Sequence, residues 1–287
     1  MIKDKITFKD SWDQYFQVFG LSTFDDFYSF SGASTVNTNK RRNVQKFTLG
    51  EGGDQKVFFM KRFHNSHLKD IFAAAYNFAR PISQARVELK NAEYLLRNGI
   101  DTYKPICIGE RGHHNIETTS FLITEQLDSV CLLESVIESW HSLSRTEQDN
   151  IIVGVAEFVR KIHALEVSFP DMYLWHLFIR QENLGEKIHF SVIDLHRMTQ
   201  NRRSLKRKIK ELSRLYWSMS ADYFDDAHKN LLITTYLGNT SAMNKETVLR
   251  IIRRYSATLE KRRILKNHYS YPKAVCSPKT DPVKVRV

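Results

Sequence analysis

The sequence predicts an α+β chain in two lobes, a small antiparallel-sheet lobe followed by a mainly helical one. Three observations predict it. Two strand-like runs, Asn43 to Leu49 and Lys56 to Phe63, flank the turn Gly50-Glu51-Gly52-Gly53-Asp54, the pattern of an antiparallel hairpin. Beyond residue 126 the period changes to helical, with Ile151, Val155, Phe158, Val159, Ile162 and Leu165 on one stripe behind the capping box Ser144-Arg145-Thr146-Glu147. Within that helical part stands one more hairpin-like stretch, Phe169 to Arg197, with an aspartate at each end. The expected organisation is an aromatic N-terminal extension over 1–30, a sheet lobe over 31–125, a helical lobe over 126–265 and a basic, loose tail over 266–287.

At 287 residues, 42% of them hydrophobic, the chain is long enough to bury a sizeable core. The first ten residues carry Lys3, Asp4, Lys5, Lys9 and Asp10 and do not read as a secretory leader. The most apolar run, Ile71 to Ala79, is interrupted by Tyr76 and Asn77 and is too short to span a bilayer. Cys107, Cys131 and Cys276 lie far apart without metal-ligand spacing and suit a reducing compartment, so the expectation is a cytoplasmic protein.

The net charge of +11 concentrates at Lys40-Arg41-Arg42, from Arg202 through Lys210 on an expected helix, and from Arg250 through Arg263 on a closing helix. Such a field favours an anionic partner: nucleic acid, acidic lipid and phosphorylated glycan all qualify, and a solvated helix face explains any one cluster equally well. The aromatics fall at core spacing and are not interleaved with the basic runs, which counts against nucleic acid. In order along the chain, Trp12, Tyr15, Phe16 and Phe19 share a helical stripe stopped by Gly20 and are expected to pack against the domain.

In the strand Val57 to Phe63, alternation puts Lys61 on the face of Val57, Phe59 and Phe63. An inward ammonium needs an anionic partner, whereas a strand-end lysine reaching solvent does not. Downstream, Ala85, Leu89, Ala92 and Leu96 mark a helix from Ser83 to Asn98, stopped by Gly99. Glu88 borders that stripe, with Glu93 opposite as the weaker partner. A strand from Ser120 to Thr124 runs into Glu125-Gln126-Leu127, the expected connector between lobes, where an adenine would meet backbone groups. The adjacent His113 and His114 have no further ligands nearby and read as an exposed turn.

The stretch from Phe169 to Arg197 carries the chemistry. Two apolar runs are joined by a turn containing Asn183, Gly185 and Glu186, so a hairpin brings Asp171 and Asp194 together. Either aspartate alone reads as an ordinary turn or strand end. As a set with His176, five residues after the first, the spacing suits phosphoryl transfer: Asp171 at an acceptor hydroxyl, His176 and Asp194 on a metal that bridges phosphates.

Five pieces in order resemble the Kdo/WaaP-type lipopolysaccharide kinase family: Met60-Lys61-Arg62-Phe63, Arg86-Val87-Glu88 through Gly99-Ile100, Leu122 to Leu127, Asp171 to Phe178, and Val192-Ile193-Asp194-Leu195-His196-Arg197. The resemblance runs from about Gly32 to Tyr236, and the histidine after the loop aspartate with the Asp-Leu-His-Arg ending looks like the heptose-kinase branch. It implies a protein-kinase-like fold and an ATP-dependent phosphotransferase acting on a sugar hydroxyl, heptose or Kdo, of the lipopolysaccharide inner core. ATP and Mg2+ are the implied cofactors, and an anionic core glycolipid is the implied partner. The expected place is peripheral, on the cytoplasmic face of the inner membrane.

By the same resemblance Lys61 holds the nucleotide phosphates, Glu88 orients Lys61, and Asp171 accepts the hydroxyl proton. His176 stands where protein kinases have a metal-binding asparagine, and Asp194 binds the magnesium. Gly32, Glu125 and Leu127 border the nucleotide, while Arg197, Arg202 and Arg203 are substrate contacts, Arg197 equally readable as one half of a structural ion pair. Three departures stand out. Phe169-Pro170 replaces the usual His-Arg before the loop aspartate, removing that pair's stabilising contacts; Gly32 alone represents the nucleotide-covering glycine loop; and Leu195-His196 replaces Phe-Gly. The first two motivate a rival reading, a nucleotide-binding pseudokinase scaffold.

Overall fold

The computed structural model describes residues 2–39, 41–64, 77–78, 81–113, 116–180, 188–238 and 244–266. Lys40, His114, nearly all of Ile71 to Ala79, the turn with Asn183, Gly185 and Glu186, Cys276 and the tail beyond Lys266 lie outside these residues. The described residues form two compact units. One holds the chain through Arg97 together with Thr102–Leu127; the other holds Asn98–Asp101 and the chain from Asp128 onward. The fold is α+β, an antiparallel sheet in the first unit and mainly helices in the second.

In the first unit β1 (Ile2–Phe8), β2 (Ser34–Asn39), β3 (Arg42–Leu49), β4 (Lys56–His64), β6 (Pro105–His113) and β7 (Ile116–Glu125) form one sheet in the order β1-β6-β7-β4-β3-β2, while the two-residue β5 (Asp101–Thr102) belongs to the other sheet. Its pairings are antiparallel throughout. The two-residue alternation of β4 is used on both sides. Phe58 and Met60 point into an aromatic core with Phe16, Phe24, Phe27, Phe47 and Phe121. That core is supplied by α1 (Trp12–Val18) and α2 (Phe24–Tyr28): Phe16 lies 5.3 Å from Phe58 and Phe27 5.5 Å from Phe121, ring to ring. The opposite row, with Lys61 and Phe63 and their β7 partners Leu122 and Ser120, faces α3 (Gln84–Arg97). Lys61 therefore points inward, as alternation requires, but into the layer under α3 and away from the deepest aromatic packing.

In the second unit β8 (Val130–Cys131), β9 (Leu177–Arg180) and β10 (His189–Val192) form an antiparallel ladder, with β9 at its centre. Around it stand α4 (Leu132–Ser139), α5 (Arg145–Ala164), α6 (Leu205–Ser218), α7 (Asp226–Leu237) and α8 (Lys245–Lys266), α5 packing on α7 and α6 on α8. The expected capping box forms at the start of α5, Ser144 accepting the Glu147 N–H while the Glu147 carboxylate takes the Ser144 N–H. Gly154 on α5 is a contact glycine: a Cβ there would sit 2.5 Å from the Phe190 ring of β10, so its absence lets helix and hairpin close together. The basic helix begins later than its charge pattern predicts. Ser204 caps α6, leaving Arg202 and Arg203 in the segment before it. Among the described residues no helix is long and apolar enough to cross a membrane.

Candidate active site

In the first unit the site is built on Lys61 and Glu88. The Lys61 ammonium stands 3.0 Å from Glu88 Oε1 and 2.9 Å from Oε2, with 13% of its side chain exposed against 2% for the glutamate. The Tyr103 hydroxyl donates to the same Oε1 at 2.6 Å. A carboxylate so deeply buried is costly unless its lone pairs are met. Here an ammonium and a phenol meet them, which fixes the carboxylate and through it the lysine.

The backbone of α3 is fixed in turn at its N-terminus. Ser83 accepts the Arg86 N–H at 3.0 Å and donates to Glu110 of β6 at 2.6 Å, Arg86 forms a two-pronged ion pair with Glu110, and the Ala85 N–H reaches Ser120 of β7. Arg86 holds the Glu110 carboxyl below its usual range against the opposing effect of burial. Glu93, the weaker candidate, pairs with Lys9 near the surface. On α3 the buried positions are Ala85, Val87, Glu88, Leu89, Asn91, Ala92 and Leu95; Leu96 of the predicted stripe is only half-buried.

The remaining nucleotide-side candidates separate. Glu125 ends β7 opposite Phe58, and the next N–H, that of Gln126, bonds Val57 O at 3.0 Å. Leu127 follows, half-buried. Gly32 stands before β2, at the end of the β2–β3 hairpin remote from its turn, and a Cβ there would lie 2.7 Å from the Phe30 ring. Its smallness accommodates that ring.

In the second unit the loop before β9 is pegged by Phe169, Met172 and Leu174, all at most 2% exposed. Each end of the loop is tied by hydrogen bonds, one end to backbone and the other to a side chain. Ser168 and Thr199 exchange N–H···O bonds of 2.8 and 2.9 Å, and the Leu174 N–H bonds Ser218 Oγ at 2.9 Å. Between the pegs Asp171 keeps 11% of its side chain exposed, and Arg197 Nη1 reaches its Oδ1 at 2.7 Å. The β9–β10 register, Leu177 opposite Val192, carries the two ends of the Phe169–Arg197 stretch side by side.

Asp194 takes up left-handed backbone, φ 63° and ψ 58°, and leads into the 3-10 turn Leu195–Arg197. Aspartate tolerates this region better than most residues, and such positions gather at functional sites. The His176 Nδ1 proton is held by the Asp171 carbonyl at 2.7 Å, which leaves the Nε2 lone pair 3.8 Å from Asp194 Oδ2. His196 Nδ1 holds the other oxygen, Oδ1, at 2.9 Å.

This donor set fits a divalent cation. Two donors at about 2.1 Å from one ion are roughly 3–4.2 Å apart, and a carboxylate whose second oxygen is oriented by a histidine is the usual arrangement around a ligand. The oxygen of Asp194 is the harder donor and the natural magnesium ligand; the imidazole of His176 is the softer one.

Arg202 and Arg203 stand apart from Asp171. The Arg202 N–H bonds the Glu166 carbonyl, and Arg203 pairs with the Glu166 carboxylate at 2.6 Å on the surface.

Sequence reasoning missed a buried chain of polar groups beneath the loop. Ser168 donates to Glu211 Oε1 at 2.6 Å, His163 Nε2 meets Glu211 Oε2 at 3.0 Å, and Tyr236 meets His163 Nδ1 at 2.8 Å. A neutral histidine satisfies every member: the phenol donates to Nδ1 and Nε2–H donates to the carboxylate. Burial first, then the Glu211 charge, pushes the Tyr236 phenol up, keeping it a donor. This chain supports the loop that Phe169-Pro170 leaves without a His-Arg pair. A signal for it exists in the sequence, since Glu211 shares a helical row with Leu215 and Ser218, an acid on an apolar face.

Comparison with known proteins identifies relatives of this chain. The model of the lipopolysaccharide kinase (Kdo/WaaP) family matches residues 31–236. The chain is 30% identical over 205 residues to the lipopolysaccharide core heptose(I) kinase WaaP of Escherichia coli, covering 69% of this chain and 75% of that one. It is 31% identical over 169 residues to that of E. coli strain K12, covering 57% and 63%. To that of Pseudomonas aeruginosa it is 26% identical over 220 residues, covering 74% and 76%. Among solved structures, that of WaaP in complex with acyl carrier protein matches with a TM-score of 0.65 at 20% identity, covering 92% of this chain and all of that one.

Proposed function

The chain belongs to the lipopolysaccharide kinase (Kdo/WaaP) family, and from that premise we propose that it transfers the γ-phosphoryl of ATP to a heptose hydroxyl of the lipopolysaccharide inner core. The single observation that carries the reading is the set in the second unit. Asp171 is offered by a pegged loop, and Asp194 and His176 are directed at each other from the two sides of one hairpin.

In this reading Lys61, steadied by Glu88, binds nucleotide phosphate oxygens, and Glu125 and Leu127 present backbone to the base. Asp171 accepts the proton of the acceptor hydroxyl as its oxygen forms a bond to phosphorus and the bond from phosphorus to the bridging oxygen of ADP breaks. Arg197 holds Asp171 by one oxygen only, which leaves Oδ2 to meet the hydroxyl. Asp194 and His176 are the residues that would hold Mg2+; when bound, the ion supplies charge neutralisation across the phosphates. The charge of +11, the exposed Arg203 just before α6 and the exposed Lys206 and Arg207 in its first turn suit an anionic glycolipid met at the cytoplasmic face of a membrane.

The test is phosphoryl transfer from labelled ATP with magnesium to de-acylated inner-core lipopolysaccharide that lacks core phosphate. The wild-type chain is expected to label it, and Asp171→Ala to lose at least about a hundredfold in kcat while melting like wild type. Nucleotide-dependent thermal stabilisation without any transfer would instead identify a scaffold.

A further inference from the structure

Resting on the kinase reading above, we infer that Tyr173, Trp175 and Trp217 form the stacking platform on which a sugar ring of the acceptor lies beside Asp171. Tyr173 and Trp175 flank the buried Leu174, so the short 3-10 turn throws both rings to one side, where they stack at 4.6 Å with 6° between their planes. Trp217 of α6 stands edge-on to both at 6.1 Å, at 73° and 78°. None of the three is fully buried. Trp140 of the same unit, a packing residue, is 2% exposed by contrast. A hydrogen bond from Trp217 Nε1 to Glu260 Oε2 at 2.8 Å holds the third ring in place, so the group is rigid before any ligand arrives.

The surroundings select a sugar over a purely apolar occupant. Tyr173 is two residues from Asp171, and its phenol lies in the electrostatic field of Arg214, Asp171 and Arg197. Hydroxyl groups of a ring seated on the platform would thus meet a phenol, a guanidinium and the carboxylate that takes the proton, while its C–H face packs on indole. Lys210 and Arg214 lie one turn apart on α6, 5.7 and 5.9 Å from the Tyr255 ring, and put positive charge at the rim. That rim suits an acceptor whose sugars carry phosphate or carboxylate groups.

The full chain is assayed with de-acylated inner-core lipopolysaccharide as acceptor. Trp175→Ala is expected to raise the acceptor KM about tenfold, the effect of one lost aromatic contact. The KM for ATP should stay within about twofold, and Trp175→Phe should recover most of the acceptor affinity. If Trp175→Ala melts early, Trp175→Leu, which fills the space without an aromatic face, takes its place. An acceptor KM within about twofold of wild type in an active variant overturns the platform and leaves the kinase reading standing. The platform also has a readout without turnover: de-acylated core alone should quench tryptophan fluorescence in wild type and not in Trp175→Ala. Quenching by ADP in place of the core would overturn the assignment to the acceptor. Absence of transfer by the wild-type chain fails the kinase reading and leaves this quenching to judge the platform.

Discussion

Glu211 is the position at which the support of the loop carrying Asp171 can be measured. Glu211→Ala removes the acceptor shared by Ser168 and His163 at a site 1% exposed, so two buried donors lose their partner. Each unsatisfied buried group costs about 1–3 kcal/mol, and the truncation adds unfilled volume, so a loss of about 3–5 kcal/mol is expected, a large part of a typical stability of about 5–15 kcal/mol. Glu211→Gln keeps one oxygen and turns an amide N–H toward a donor; it should lose about 1–3 kcal/mol.

Urea denaturation followed by tryptophan fluorescence reads these differences, and kcat measured well below both melting temperatures reads the loop. Because Ser168 is paired with Thr199 by backbone and precedes Asp171 by three residues, kcat should fall with stability. A double-mutant cycle of Glu211→Gln with Ser168→Ala should give a coupling of about 1 kcal/mol or more. Glu211→Ala within about 1 kcal/mol of wild type, or a coupling near zero, would refute the claim that this chain carries the loop.

Two further outcomes follow from the geometry. Asp194→Asn keeps a side chain that tolerates φ 63° and should fold like wild type with activity reduced at least about a hundredfold, whereas Asp194→Val should destabilise by about 1–3 kcal/mol, both read by melting and transfer assays. Acidification should destabilise the chain in two stages: burial holds the His228 imidazole below its ordinary 6.5, so its contribution is complete above 6.5 and lost as pH falls through the lowered value. Asp225, held at about 2 chiefly by Arg145 and the His228 N–H, contributes above 3.8 and is lost as pH falls through about 2; a melting temperature that rises on going from pH 7.5 to 5 would contradict the first stage.

What was legible in the sequence is what local chemistry encodes. The hairpin after Asp171 follows from apolar runs and a polar turn, α5 from its period and its cap, and the Lys61–Glu88 pair from alternation on one strand meeting a 3.6-residue period on the next helix. Charge alone misplaced the start of α6, because arginine is compatible with helix and loop alike while Ser204 supplies the hydrogen bond that fixes the boundary. Residues 2–8 read only as charged, and became the edge strand β1 through pairing with β6, about a hundred residues away in the chain.

The sequence by itself determined which residue types stand at which period: a lysine that must find an anion, two aspartates at the ends of one hairpin, and a histidine between them. Tertiary structure alone decided their partners. Tyr103 comes to Glu88, Arg197 to Asp171, His196 to Asp194, and Glu211 turns inward to His163 and Ser168. The physical reason is that propensity and periodicity act within a few residues, whereas a buried polar atom is satisfied by whatever donor the packing of distant elements delivers within hydrogen-bond reach.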